Sequence, residues 1–390
     1  MIFLAMGLID SAGPMVSLAK ESFKISNTMA SLLPMLAYIM YGLLSVPIGL
    51  LQDRKGKKFI LNMGLAIALS GLVIPIFSGM YGRMVVDGSS MVQFYKILAA
   101  ILFLGAGGSI LQVAGNPIMR DISDEGHYSK NLSFAQSIIT IGSSMGFLLP
   151  VFMLFAFGLD WSILFPVFSC LVLISFVGLN MIKIKEKRSD DDHHATFKTC
   201  FKLLGDRYIL AMVVGIFIYC GVEISMSANI PILLSEKFQV KEMGLLISWS
   251  LFYLPILAGR FVGSLIMARI APKRLFLYTV LLTLLGISMI FSNSYPLTLT
   301  GILLIGIGCA NIFPLIFSIT IDHMPEHANE LSGLLVSCIA GGALIPPIMG
   351  MVADVTSIQT AFIVPVVCIC YILFVAIINN RKILNEIPRL

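Results

Sequence analysis

A run of about twenty apolar residues is long enough to cross a bilayer as a helix, and this chain of 390 residues repeats such a run from end to end. Twelve apolar segments can be laid out, at 1–20, 27–51, 59–80, 92–118, 131–157, 162–182, 208–233, 243–268, 275–292, 297–321, 330–352 and 358–379. Strands of a β-barrel would be about half as long and would alternate polar with apolar. A helix pairs its own peptide N–H and C=O groups, and hydrocarbon offers them no other partner. Only 12% of the residues are charged, against about 25% in an ordinary soluble domain. The expectation is an all-α integral membrane protein of twelve transmembrane helices in a lipid bilayer, either a plasma membrane or a bacterial inner membrane. The first residues, MIFLAMGLID, lack a basic leader and read as the start of a spanning helix rather than a signal peptide.

Basic residues mark the loops that stay in the cytoplasm. Arg54, Lys55, Lys57 and Lys58, then Arg120 and Lys130, a group from Lys183 to Arg207, the trio Arg269, Lys273 and Arg274, and finally Arg381, Lys382 and Arg389 fall on one side. Lys20, Lys24, Arg83, Lys237 and Lys241 fall on the other. Both termini are therefore expected in the cytoplasm. The long polar connection 183–207 contains EKRSDDDHHATFK; Asp190 to Asp192 with His193 and His194 read there as a solvated linker rather than a metal site. It separates an N-terminal six-helix bundle, 1–182, from a C-terminal one, 208–380, followed by a cytoplasmic tail, 381–390. The halves echo each other in order: GLLQDRKGKK with GSLIMARIAPKR, LGAGGSILQVAGNP with IGIGCANIFP, GSSMGFLLP with AGGALIPP, and Asp10 with Pro14 against Glu223 with Pro231. Such echoes point to a duplicated, pseudo-symmetric unit. The seven cysteines show no ligand spacing and read as small buried hydrophobes.

Polar groups inside apolar runs are costly and so carry information. Asp10 and Glu223 are the acids placed near the middle of a helix, where a carboxylate faces a cavity or marks an ion path; they are the proton-coupling candidates. Gln112 and Asn116 stand four apart on one face of segment 4. Gln136, Thr140, Ser143 and Ser144 share a face of segment 5. Facing one another across a cavity, these amides and hydroxyls would suit a neutral polyol, with many hydroxyls and no charge to neutralise. Pro117 is expected to break or bend segment 4. Trp249 and Tyr253 on segment 8 and Tyr38 beside Tyr41 on segment 2 are candidates to stack on a sugar ring, with Asn311 a further contact. Arg260 is expected towards the cytoplasmic half of segment 8, paired there.

The loop Gly49 to Lys58 fits the pattern G-x-x-x-D-R-x-G-[RK]-[RK]. Gly49 would allow close helix contact, Asp53 would sit at a helix end and pair with basic groups or a helix N-terminus, and Arg54, Lys57 and Lys58, with Gly56 between them, would hold the loop inside. This is the signature of the major facilitator superfamily. With LQVAGNP (111–117), FAQSIITIGSSMG (134–146), AGRFVGSLI (258–266), IFPLIFSITI (312–321) and GGALIPPIMGMVAD (341–354), the chain resembles the fucose–proton symporter group of that superfamily, which includes glucose/galactose permeases. The resemblance implies the major facilitator fold, alternating access, a conformational latch at Gly49, Asp53, Arg54, Gly56, Lys57 and Lys58, and a monomer. In that group a helix-1 acid, a helix-4 acid and a helix-5 Gln serve coupling and sugar binding. Asp10 and Gln136 match the first and third; Gln112 stands where the helix-4 acid would be, and Glu223 where such chains carry an amide.

The function expected is uptake of a small neutral monosaccharide by cation symport, with H+ as the cation and Na+ the alternative. Two other readings remain open on the sequence: a proton-coupled exporter of drug-like amphipaths, and a membrane sugar sensor that moves nothing. The sequence offers no phosphate-cradling loop on a strand, no nucleotide-binding domain and no catalytic triad, so an enzyme, a cofactor and a nucleic-acid partner are not expected.

Overall fold

In the computed structural model, which describes residues 2–83, 91–122, 128–182, 202–241, 243–266, 270–324 and 327–386, the apolar runs are helices, and no strand occurs among the described residues. Twelve are long and apolar enough to cross a membrane: α1 (Ile2–Phe23), α2 (Asn27–Gly49), α3 (Lys57–Phe77), α4 (Val92–Gly115), α5 (Ala135–Phe157), α6 (Trp161–Met181), α7 (Arg207–Phe238), α8 (Gly244–Gly263), α9 (Pro272–Ile290), α10 (Tyr295–His323), α11 (Gly333–Val355) and α12 (Ile358–Asn380). This is a multi-pass membrane protein. Several helices begin on a side-chain cap that takes up otherwise orphaned N–H groups. Asp206 accepts from Tyr208 N (2.7 Å) and Ile209 N (3.2 Å), Asp160 from Ser162 N (2.8 Å), and Ser26 from Met29 N (3.1 Å).

The chain divides into two compact units, Met1–Phe197 and Lys198–Leu390. The same helix pairs close in each, and they close through glycine. In the first unit Gly64 of α3 meets Gly107 of α4, backbone on backbone; in the second, Gly286 of α9 meets Gly301 of α10 in the same way. Gly7 of α1 lies against Ile139 and Gly142 of α5, as Gly221 of α7 lies against Gly341 and Ile345 of α11. Gly105 of α4 sits on Ala37 of α2, as Gly306 of α10 sits on Phe252 of α8. Without a hydrophobic drive between helices in lipid, such close approaches supply the dispersion contact that holds them.

The helices are interrupted at particular points. α1 turns at Ser11, between helical stretches Ile2–Asp10 and Ala12–Phe23. α8 carries a π-helical turn at Trp249–Tyr253, where the sequence suggests plain α-helix. α10 breaks at Ala310 and Asn311, and a 3-10 turn, Cys338–Ala340, lies within α11. The expected break at Pro117 does not occur: helix α4 runs on through that residue to Ile122. Of the described cysteines, Cys220, Cys309 and Cys368 are buried, whereas Cys170 and Cys370 are exposed on outer helix faces, so burial is not their common property.

A side chain at Gly142 would come within 2.6 Å of the Leu4 carbonyl. Gly142→Val is therefore expected to cost about 1–3 kcal/mol by overpacking and to lower the thermal unfolding midpoint of the purified protein. Gly49→Ala, where no atom lies within 4 Å of the new Cβ, should leave that midpoint unchanged or slightly raised.

Candidate functional site

Gln112 is compensated from α2. Its Nε2 donates to the Tyr41 hydroxyl at 3.3 Å. Tyr41 is fully buried and stacks on Tyr38, with ring centroids 5.8 Å apart and planes 24° from parallel. The Gly105–Ala37 approach brings α2 and α4 close enough for this contact. Ser45, one turn beyond Tyr41, donates to the Tyr41 carbonyl and lies 3.4 Å from the Ser109 hydroxyl. The first unit thus holds a neutral cluster of two stacked tyrosines, an amide and two hydroxyls.

Helix α1 packs against both α4 and α5. Met6 covers Gly115 of α4, and Gly7 presses on Gly142 of α5. Thr140, Ser143 and Ser144 are buried and donate back to the carbonyls of Gln136, Ile139 and Thr140, the local bond that hydroxyls make within a helix. Gln136 is half-buried, and its side chain makes no hydrogen bond to Gln112. Ser11, at the turn in α1, is buried against Gly146 with its hydroxyl unpaired. The side chains of Asp10, Asn116, Asp53 and Arg54 lie outside the described ones.

The loop motif resolves into a hinge of a single residue. The α2 helix continues to Lys55, α3 begins at Lys57, and Gly56 between them has φ 85°, a conformation that favours glycine. Lys58 donates to the Ile182 carbonyl at the end of α6 (2.6 Å), a cation on a helix C-terminus. Among the described residues, no atom of another helix lies within 4 Å of where a Cβ at Gly49 would stand.

The second unit is built around charge. Glu223 Oε1 of α7 lies 3.4 Å from Arg260 Nη2 of α8. Arg260 thus has its partner on α7, a pairing the sequence did not reveal. Around it, two bonds tie down the break in α10. The Tyr219 hydroxyl donates to the Cys309 carbonyl (2.6 Å), and Asn311 Nδ2 donates to the Gly259 carbonyl (2.9 Å). The carbonyl at a helix end lacks an intrahelical partner, and Tyr219, one turn before Glu223, supplies it. Asn311 thereby acts between helices, where a substrate contact was expected. Trp249 is half-buried with its indole N–H lacking a partner among the described residues, and Tyr253 is buried. Among the described residues no group of three or more His, Cys, Asp or Glu could hold a metal ion.

The family model of the Major Facilitator Superfamily matches residues 1–338 and 211–385. A glucose/galactose transporter of Brucella abortus is 24% identical over 374 residues, covering 93% of this chain and 88% of that protein. The L-fucose-proton symporter of Escherichia coli is 21% identical, covering 94% and 88%. A solved structure of the E. coli fucose:proton symporter superposes with a TM-score of 0.69 at 18% identity, over 97% of both chains.

If the Gln112–Tyr41 contact carries an ordinary hydrogen bond, it is worth about 1 kcal/mol. A double-mutant cycle of Tyr41→Phe and Gln112→Leu, read by unfolding of the purified protein, is expected to show coupling of about that size.

Proposed function

Because the chain belongs to the Major Facilitator Superfamily, we propose that it takes up a small neutral monosaccharide, of the glucose, galactose or fucose class, by proton symport across the membrane that encloses the cytoplasm. The observation that carries this reading is the neutral cluster of Tyr38, Tyr41 and Gln112. In this conformation both rings are buried and wall the cluster, and the Gln112 amide offers both donor and acceptor to sugar hydroxyls. The names of relatives matched over nearly the whole chain support the same class of cargo. Gln136 would add a second amide from α5. Both termini stand in the cytoplasm in this proposal, by the distribution of Lys and Arg.

The two units would rock about the bound sugar, opening the site to one side and then the other. The hinge at Gly56 and the Lys58 anchor on α6 would serve the latch that holds one of these states. Coupling requires the cation and the sugar to favour the same conformations, and that linkage is reciprocal. Asp10 is the coupling acid of this proposal. It precedes the turn at Ser11, in a helix pressed on α5 through Gly7. Glu223, the second candidate, faces a fixed guanidinium counter-charge, which leaves Asp10 the better carrier of a mobile proton.

De-energised cells expressing the protein, in weakly buffered medium, should make that medium more alkaline when the transported sugar is added. Asp10→Asn should abolish uphill uptake while leaving sugar exchange partly intact. Sugar uptake without a pH change would point to Na+ or to uncoupled movement, and unchanged uphill uptake by the variant would remove Asp10 from the mechanism.

A further inference from the structure

From Tyr219 to Leu234, every residue of α7 is buried except Glu223. The one opening along that stretch of an enclosed helix is at its acid. On α8, Leu254, Ala258, Phe261 and Val262 form an exposed stripe. Arg260 lies off it, on the face that carries the buried Tyr253 and Ile256, at spacings of seven and four residues. A long side chain on a helix leans toward the N-terminus, so the guanidinium reaches back over the turn of Ile256 towards Tyr253. There it meets Glu223 at 3.4 Å, and the two side chains keep 21% and 16% of their surface accessible. Trp249, one π-turn before Tyr253, adds a buried indole N–H with no partner among the described residues. π-turns are rare and recur at functional sites.

Two opposite charges at this depth are expensive to desolvate, and the contact of 3.4 Å between them is one source of compensation. Their chemistry, however, suits hydroxyls. A carboxylate only accepts and a guanidinium only donates, each from a planar fork. A sugar hydroxyl does both, so two neighbouring hydroxyls can give their protons to Glu223 and their lone pairs to Arg260. The pair carries no net charge, so a neutral ligand leaves it balanced, whereas a lone anion or cation would have to displace one partner. We propose that Glu223 and Arg260 form a hydroxyl-recognising subsite in the second unit, which takes a vicinal diol of the sugar, with Tyr253 as the ring-facing wall and the Trp249 N–H as a further donor. This assignment rests on the sugar reading above. It gives the two charged residues a specificity role in place of proton carriage.

The test uses the purified full chain and calorimetric binding of D-glucose, D-galactose, L-fucose and their monodeoxy analogues. Arg260→Lys keeps a positive charge beside Glu223 but loses the planar fork. It should weaken the preferred sugar about tenfold or more and leave unchanged the affinity for the analogue that lacks the recognised hydroxyl. Glu223→Gln should erase the preference at the same hydroxyl or its neighbour. Uniform weakening of the parent sugar and every analogue by both variants would make the pair a packing element and overturn the assignment, as would no effect on any of them. The absence of saturable binding of any of these sugars to the unmodified protein would instead remove the sugar reading itself, and this subsite with it.

Discussion

Hydrocarbon offers no partner to a peptide N–H, a hydroxyl or a carboxylate, and the described residues of each unit supply many of those partners from within. Helices pair the backbone, and where a helix is interrupted a side chain takes over. Tyr219 holds the carbonyl left at the end of the first stretch of α10, and Asn311 at the same break ties it to Gly259 of α8. Buried hydroxyls such as Thr140, Ser143 and Ser144 fold back on the carbonyl four residues earlier. Gln112 and Glu223, like Tyr219 and Asn311, find a partner on another helix.

Close approach makes those pairings possible. Tyr41 reaches Gln112 because Gly105 lets α4 settle on Ala37 of α2. Glu223 reaches Arg260 where Gly259 and Gly263 let α8 settle against Ala310 and Asn311. The two units share this scheme of glycine contacts and differ in what they place upon it. The first carries neutral amide and tyrosine chemistry; the second carries a compensated charge pair.

Much of the site was legible in outline and misread in detail. Gln112 was recognised as a buried amide in need of compensation, and segment 5 was expected to face it. A partner comes from Tyr41, a residue noted only as the neighbour of Tyr38, across the contact of α2 and α4 at Ala37 and Gly105. Periodicity gives the face on which a residue lies but not the helix opposite. Glu223 and Arg260 were each visible as charges in apolar runs, yet their sequence separation hid their pairing. Tyr219 carried one local signal, its position one turn before Glu223.

The sequence by itself determined the twelve helices, the duplication and the chemical types inside the membrane. These follow from local hydropathy and from residue order, and the cost of a polar group in lipid is the same wherever the chain goes. Only the tertiary structure decided which polar groups meet. The turn at Ser11, the π-turn at Trp249–Tyr253 and the break at Ala310 and Asn311 depend on contacts between helices far apart in sequence. Such contacts are set by packing and glycine placement across several helices at once, and no window along one helix contains that information.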